Sequence, residues 1–154
     1  MNEAFETVVT IAAPMETVFR HLVDPACMVR WMGQYAVLEA TPGGRFEVDI
    51  NGVPVRGRYV VVDPPRRVVV TWGMAGSDEL PPGATEVEFT LSPAEGEDGT
   101  ILRLVHRNLP EAQRPMHKTG WDHFLARLAT AAVEGDAGPD PWGAATGPSP
   151  APSP

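Results

Sequence analysis

Residues 115–133, PMHKTGWDHFLARLATAAV, decide the fold. The spacing predicts one amphipathic helix from Pro115 to Val133, with Trp121, Phe124, Leu125, Leu128 and Ala132 as its apolar stripe. At 100° per residue these positions fall within about a third of a turn, and His117 projects onto the same stripe. The helix follows a long run of residues with a period of two. The expected class is therefore α+β, one long helix laid across one curved antiparallel sheet. That arrangement often leaves a cavity between the two layers.

Working back from the helix, the strands announce themselves by alternation. Arg45 to Ile50 puts Phe46, Val48 and Ile50 on one face and Arg45, Glu47 and Asp49 on the other. Asn51-Gly52 is the hairpin signal, since both residues tolerate the positive φ of a type I′ turn. Val53 to Val62 answers that strand and ends at Asp63-Pro64-Pro65. Arg67 to Met74, Glu86 to Leu91 and Thr100 to Arg107 follow, with a loop over 76–83 and an acidic turn at Glu95 to Gly99. Tyr35 to Ala40 is a shorter strand, closed by the turn Thr41-Pro42-Gly43-Gly44. Strands joined in sequence by hairpins form an antiparallel sheet, apolar on one face and wet on the other.

The N-terminal part interrupts this pattern. Phe5 to Ala12 is rich in β-branched residues and reads as a first strand. Pro14 then stands where a helix begins, and Met15, Val18, Phe19 and Leu22 form a helical stripe. Asp24-Pro25 ends that helix and caps a second, short one running to about Trp31. At the other end, residues 135–154 hold six prolines and four glycines, with Trp142 the sole aromatic. Such a segment buries too little surface to offset its ordering entropy, so 1–134 is expected to be one domain and 135–154 a disordered tail.

Composition excludes several classes. A chain of 154 residues with 43% hydrophobic and 21% charged residues suits one soluble core. Twelve basic against twenty acidic residues give a net charge of −8, which repels phosphate backbones and anionic lipid, so no nucleic-acid partner is expected. The single cysteine, Cys27, rules out an internal disulfide and a cysteine-based zinc cluster, and reads as a buried small residue. No apolar run approaches the roughly 20 residues of a membrane span, and Met1 to Thr10 lacks the pattern of a signal peptide. A cytoplasmic protein is expected.

The order strand, two helices, six strands, long helix is the helix-grip arrangement, with about seven strands in all. Three stretches, TIAAPMETVFRHLVDPACMVRWMG, TPGGRFEVDINGVPVRGRYVVVDPPRRVVVTWG and KTGWDHFLARLA, resemble the SRPBCC (START-like) superfamily. They are most similar to its branch named for activators of heat-shock protein 90 ATPase. Gly120-Trp121 in the final helix, and Asp63-Pro64-Pro65 before the strand ending in Trp72, are the most specific parts. The resemblance covers about residues 5–134. It implies a cavity between sheet and final helix, in a superfamily ranging from lipid and hormone binders to polyketide aromatase/cyclases. The branch itself takes its name from the C-terminal domain of a co-chaperone.

The candidate site follows from which residues face the cavity. On the last strand Leu102, Leu104 and His106 point opposite to Arg103 and Arg107, so His106 is expected to look inward. With His117 one short connection later, two imidazoles can orient a polar ligand group or act as acid and base near neutral pH. The alternative is that His106 braces the turn at Asn108 and His117 sits at the mouth, bonded to backbone. Two histidines without an inward carboxylate or thiolate fall short of a catalytic zinc site, so no metal is expected, and no cofactor motif occurs. His21 and His123 are expected to be solvated. Trp121 reads as core, and Trp31 and Trp72 as the walls of a cavity mouth. In the strand 53–62, one register puts Gly57, Tyr59 and Val61 inside and the other Arg56, Arg58, Val60 and Val62. The first is favoured because it buries no unpaired charge.

The pocket set is thus Trp31, Phe46, Val48, Tyr59, Val70, Trp72, Phe89, Leu104, His106, His117, Trp121 and Phe124. Its expected partner is a small apolar or aromatic molecule, with no strong catalytic signature. Two other readings stand beside it. One is a polyketide cyclase or dehydratase using His106 and His117. The other is a chaperone cofactor or regulator acting through Asp49, Glu86 and Glu88 on the outer face. Exposed edge strands leave a homodimer open.

Overall fold

The structure, a computed structural model, describes residues 3–95 and 99–142. Strand β1 (Glu3–Ile11) leads into helices α1 (Met15–Val23) and α2 (Pro25–Met28). Six strands follow: β2 (Tyr35–Leu38), β3 (Arg45–Ile50), β4 (Val53–Asp63), β5 (Arg67–Trp72), β6 (Thr85–Pro93) and β7 (Thr100–Leu109). A 3-10 turn at Glu111–Gln113 opens into helix α3 (Arg114–Glu134). The seven strands form one sheet in the order β1-β7-β6-β5-β4-β3-β2, antiparallel throughout. This is the expected α+β helix-grip fold. Residues 96–98 of the acidic turn and 143–154 of the tail lie outside the described residues.

Local chemistry explains the element ends. Asp24 caps α2, its carboxylate accepting the Ala26 N–H at 2.9 Å, with Pro25 in the first helical turn where a missing N–H costs nothing. The β3–β4 hairpin turns on Asn51 and Gly52, both at positive φ. Helix α3 ends on Gly135 at φ 93°, a left-handed cap.

Inner faces of the sheet and of α3 meet in one core. Trp121, Phe124, Leu125, Leu128 and Ala131 are the buried residues of the helix. Ala131 takes the place foreseen for Ala132, which is only partly buried. In β4 a bulge between Tyr59 and Val61 resets the alternation. Tyr59 opposes Val70 and Val62 opposes Val68, so Tyr59 and Val62 face the core, and Val61 does not join them. Gly57 is fixed by space, because a Cβ there would stand 1.8 Å from the Thr71 carbonyl oxygen.

The outer face is drier than alternation suggests. Val69, Glu88 and Val105 lie in register across β5, β6 and β7, and all three are buried. Arg67 and Arg107 cover this row, and both reach the Glu88 carboxylate. Burial pushes the Glu88 carboxyl up, but the hydrogen bonds from Arg107 and Arg67 outweigh it and hold it below its ordinary value.

After α3 the chain returns along the domain as far as Trp142. Arg127 donates to the carbonyls of Gly138 at 2.7 Å, Pro139 at 3.4 Å and Trp31 at 3.0 Å, while the Ala137 N–H donates to the Arg30 carbonyl. Composition counted the prolines and glycines but missed that one arginine on α3 satisfies the carbonyls of the returning chain.

Candidate functional site

A cavity of about 570 Å³ opens between the N-terminal half of α3 and the β3–β4 hairpin. Helix α3 supplies Met116, His117, Gly120, Trp121 and Phe124. The hairpin supplies Ile50, Asn51, Val53 and Val55, and Trp72 and Met74 come from the end of β5 and just beyond. Met32 and Trp142 complete the wall. Three of the large apolar residues left exposed by the fold, Val53, Met116 and Trp142, belong to this one wall. The helix is thin here for a local reason. Gly120 faces the cavity without a side chain, and a Cβ added there would meet nothing within 4 Å.

Behind the cavity lies a buried hydrogen-bond relay that ties the helix to the sheet. Trp121 Nε1 donates to His106 Nδ1 at 3.1 Å. His106 therefore carries its proton on Nε2, which donates to Thr85 Oγ1 at 2.8 Å. Thr85 Oγ1 in turn donates to the Trp72 carbonyl at 2.7 Å. Each member has its partners, and the relay joins α3, β7, β6 and β5. Burial, with a smaller contribution from the nearby His117, pushes the His106 imidazole down to about 3. A fully engaged, neutral imidazole has no free position to take or give a proton. Through these bonds it braces the helix across the strands.

His117 differs. Its Nδ1 lies 2.9 Å from the Gln113 carbonyl, so Nδ1 bears the proton and Nε2 keeps its lone pair. Burial lowers its pKa despite that backbone bond. The two rings stand edge to face with centroids 5.2 Å apart. Opposite tautomers follow, and long-range proton–nitrogen NMR at pH 7 should show His106 protonated on Nε2 and His117 on Nδ1. A His106 protonated on Nδ1 would rule out the relay.

Of the twelve residues foreseen for the pocket, Trp72, His117, Trp121 and Phe124 stand on the cavity wall. Phe46, Val48, Val70, Phe89, Leu104 and His106 are core residues behind it. Tyr59 is also core, its hydroxyl donating to the Leu22 carbonyl at 3.0 Å, and burial raises its pKa. Trp31 is not at the mouth, since it is fully buried with Nε1 donating to the His21 carbonyl. Aromatic rings link core to wall: Trp72 lies 5.1 Å from Trp121 and 6.0 Å from Phe46. Trp72 Nε1 is buried without a hydrogen-bond partner among the described residues.

Two histidines foreseen as solvated are not. His21 is buried, with Nδ1 against the Thr17 carbonyl. His123 stacks on Trp142 with centroids 3.6 Å apart, and its Nε2 meets Asp140 at 2.9 Å. The outer-face carboxylates proposed for partner binding are engaged internally, Asp49 with Arg56, and Glu86 and Glu88 with Arg107. Sequence reasoning missed Met32, Ile50, Asn51, Val53, Val55, Met74, Met116, Gly120 and Trp142. Ile50 lay on the apolar face of its strand and could have been found. Asn51 read only as a turn and Trp142 as tail. Among the described residues no three of His, Cys, Asp and Glu gather as a metal ion requires, and no helix is long and apolar enough to cross a membrane.

The sequence model of the family described as activator of Hsp90 ATPase homolog 1-like protein matches residues 12–132. The chain belongs to this family. An activator of Hsp90 ATPase homolog 1-like protein from Rhizobium etli, solved in solution, is 39% identical with a TM-score of 0.72, over 92% of this chain and 89% of that one. DynU16, from the dynemicin biosynthetic locus, is 24% identical with a TM-score of 0.75 over 89% of this chain, which spans only 49% of that protein. The Aha1 dimer from Colwellia psychrerythraea is 23% identical with a TM-score of 0.71, over 86% of this chain and 97% of that one. At those identities the last two share the fold alone. No curated protein matches the chain. In this Hsp90-activator-like domain the matched residues include the relay and every wall residue except Trp142.

Proposed function

We propose that this domain binds a small, predominantly apolar or aromatic molecule in the cavity between α3 and the β3–β4 hairpin. The observation that carries the reading is the wall itself. Its side chains are three methionines, three tryptophans, a phenylalanine and aliphatic residues, with Asn51 and His117 as its few polar groups. Apolar walls with few polar groups suit ligands held by burial and oriented by one or two hydrogen bonds. Methionines adapt to irregular ligand shapes, and the tryptophan faces suit planar rings. The His117 Nε2 lone pair offers an acceptor for a ligand hydroxyl.

Native mass spectrometry of protein purified gently from its host, before and after organic extraction, should show a discrete mass lost on extraction. The neutral probe N-phenyl-1-naphthylamine should bind and quench tryptophan fluorescence saturably. Gly120→Phe places a ring in the open space and should abolish probe binding. It should not unfold the protein, because the open space takes the ring and replacing a helical glycine by phenylalanine recovers on the order of 0.3–0.5 kcal/mol of helix propensity. Undiminished probe binding in a folded Gly120→Phe protein would refute the cavity as the site.

A further inference from the structure

The returning segment 135–142 adds to the cavity a wall that neither the sheet nor the helix provides. It lies beyond the residues 12–132 matched by the family. Asp140 anchors it. That carboxylate is buried, and it accepts from Asn51 Nδ2 at 3.1 Å, from His123 Nε2 at 2.9 Å and from the Trp142 N–H at 2.9 Å. Asn51 is itself held by Gln34, whose side chain accepts the Asn51 N–H and donates to its Oδ1. One acid thus joins the hairpin tip, the helix and the strap. Burial alone would raise its pKa, but the bonds from Asn51, Trp142 and His123 prevail and lower it.

The anchored residue is Trp142. It stacks on His123 with the rings 5° from parallel and stands edge-on to Phe124, a fellow wall residue, at 5.8 Å. It keeps 39% of its surface exposed while forming part of the cavity wall. Fixing a proline- and glycine-rich segment costs ordering entropy, and covering apolar core does not explain the expense, since Trp142 remains substantially open. A rigid aromatic plane presented beside an apolar cavity is suited to contact with another ring.

We propose that residues 135–142 are a ligand-selecting strap, in which Trp142 contacts flat aromatic ligands and Asp140 is the residue that positions it. The proposal rests on the cavity being the binding site. Ring–ring contact favours aromatic over saturated ligands of similar size, so the strap sets a preference within the apolar class.

The test uses the full chain and two neutral probes, N-phenyl-1-naphthylamine and 1-decanol. In Trp142→Ala the naphthylamine Kd should rise by about three- to tenfold, as expected for one lost aromatic pair, with decanol changed less than about twofold. Asp140→Ala should reproduce this selective loss with Trp142 still present, and should remove hydrogen-exchange protection from residues 137–142. Unchanged naphthylamine binding in Trp142→Ala, with wild-type binding intact, would overturn the strap's role and leave the cavity reading standing. Equal weakening of both probes would reduce Trp142 to general shape. Failure of the wild type to bind either probe would overturn both readings together.

Discussion

His106→Ala is expected to destabilise the domain by about 4 kcal/mol, a sum of a vacated ring-sized space and severed buried hydrogen bonds. The ring is wholly buried, and its loss strands Trp121 Nε1 with no acceptor while Thr85 Oγ1 loses a donor. A domain of this size has roughly 5–15 kcal/mol in all, so the variant should sit near the edge of folding. His106→Phe separates the two contributions. It keeps the volume and removes both bonds, and should cost about 2 kcal/mol, mostly the stranded indole N–H. His117→Ala, on the cavity wall, should cost clearly less than His106→Ala. Urea unfolding with unchanged m-values measures all three. A loss below about 1 kcal/mol in His106→Ala would mean that the relay does not brace the helix.

The sheet was legible because its code is local. In β3 the alternation of Phe46, Val48 and Ile50 with charged residues names the buried face with no knowledge of its neighbours, and Asn51-Gly52 names the hairpin. The long helix was legible for the same reason. The bulge in β4 was not, because the shift between Tyr59 and Val61 arises from pairing with β5, and it exchanges Val61 for Val62 in the core. The site was legible only in part. Inward-facing direction can be read from alternation, which found His106, Phe46 and Leu104, but direction does not separate a wall from the packed core behind it. That distinction depends on where the helix stands off from the sheet, which Gly120 marks and no periodicity reveals. Trp142 was hidden by its composition. A segment rich in proline and glycine looks unstructured until Arg127, Asn51 and His123, all outside it, supply partners for its carbonyls and for Asp140.

Acidification should destabilise this protein well above the pH at which ordinary carboxylates titrate. His106 moves from 6.5 to about 3 on folding, so between those values the unfolded chain binds a proton that the native state refuses. Stability then rises with pH through this window and falls on acidification, by about 1.4 kcal/mol per pH unit for one such group. From pH 6.5 to 5, His106 alone removes about 1.6 kcal/mol. His117 and His21 are lowered by burial too and act in the same sense. Further down, Glu88 and Asp140, held below the ordinary carboxylate range, lose their stabilising charge as they protonate. Urea unfolding free energies at intervals from pH 7.5 to 5 should therefore decline steeply, where a flat profile would mean that His106 is charged in the folded state. His106→Phe supplies the internal control. Though less stable than wild type at pH 7.5, it should lose less on acidification, because its unfolded chain gains no proton at that position. The two curves should converge as the pH falls. Parallel curves would place the acid sensitivity elsewhere and leave the neutral, doubly bonded imidazole without support.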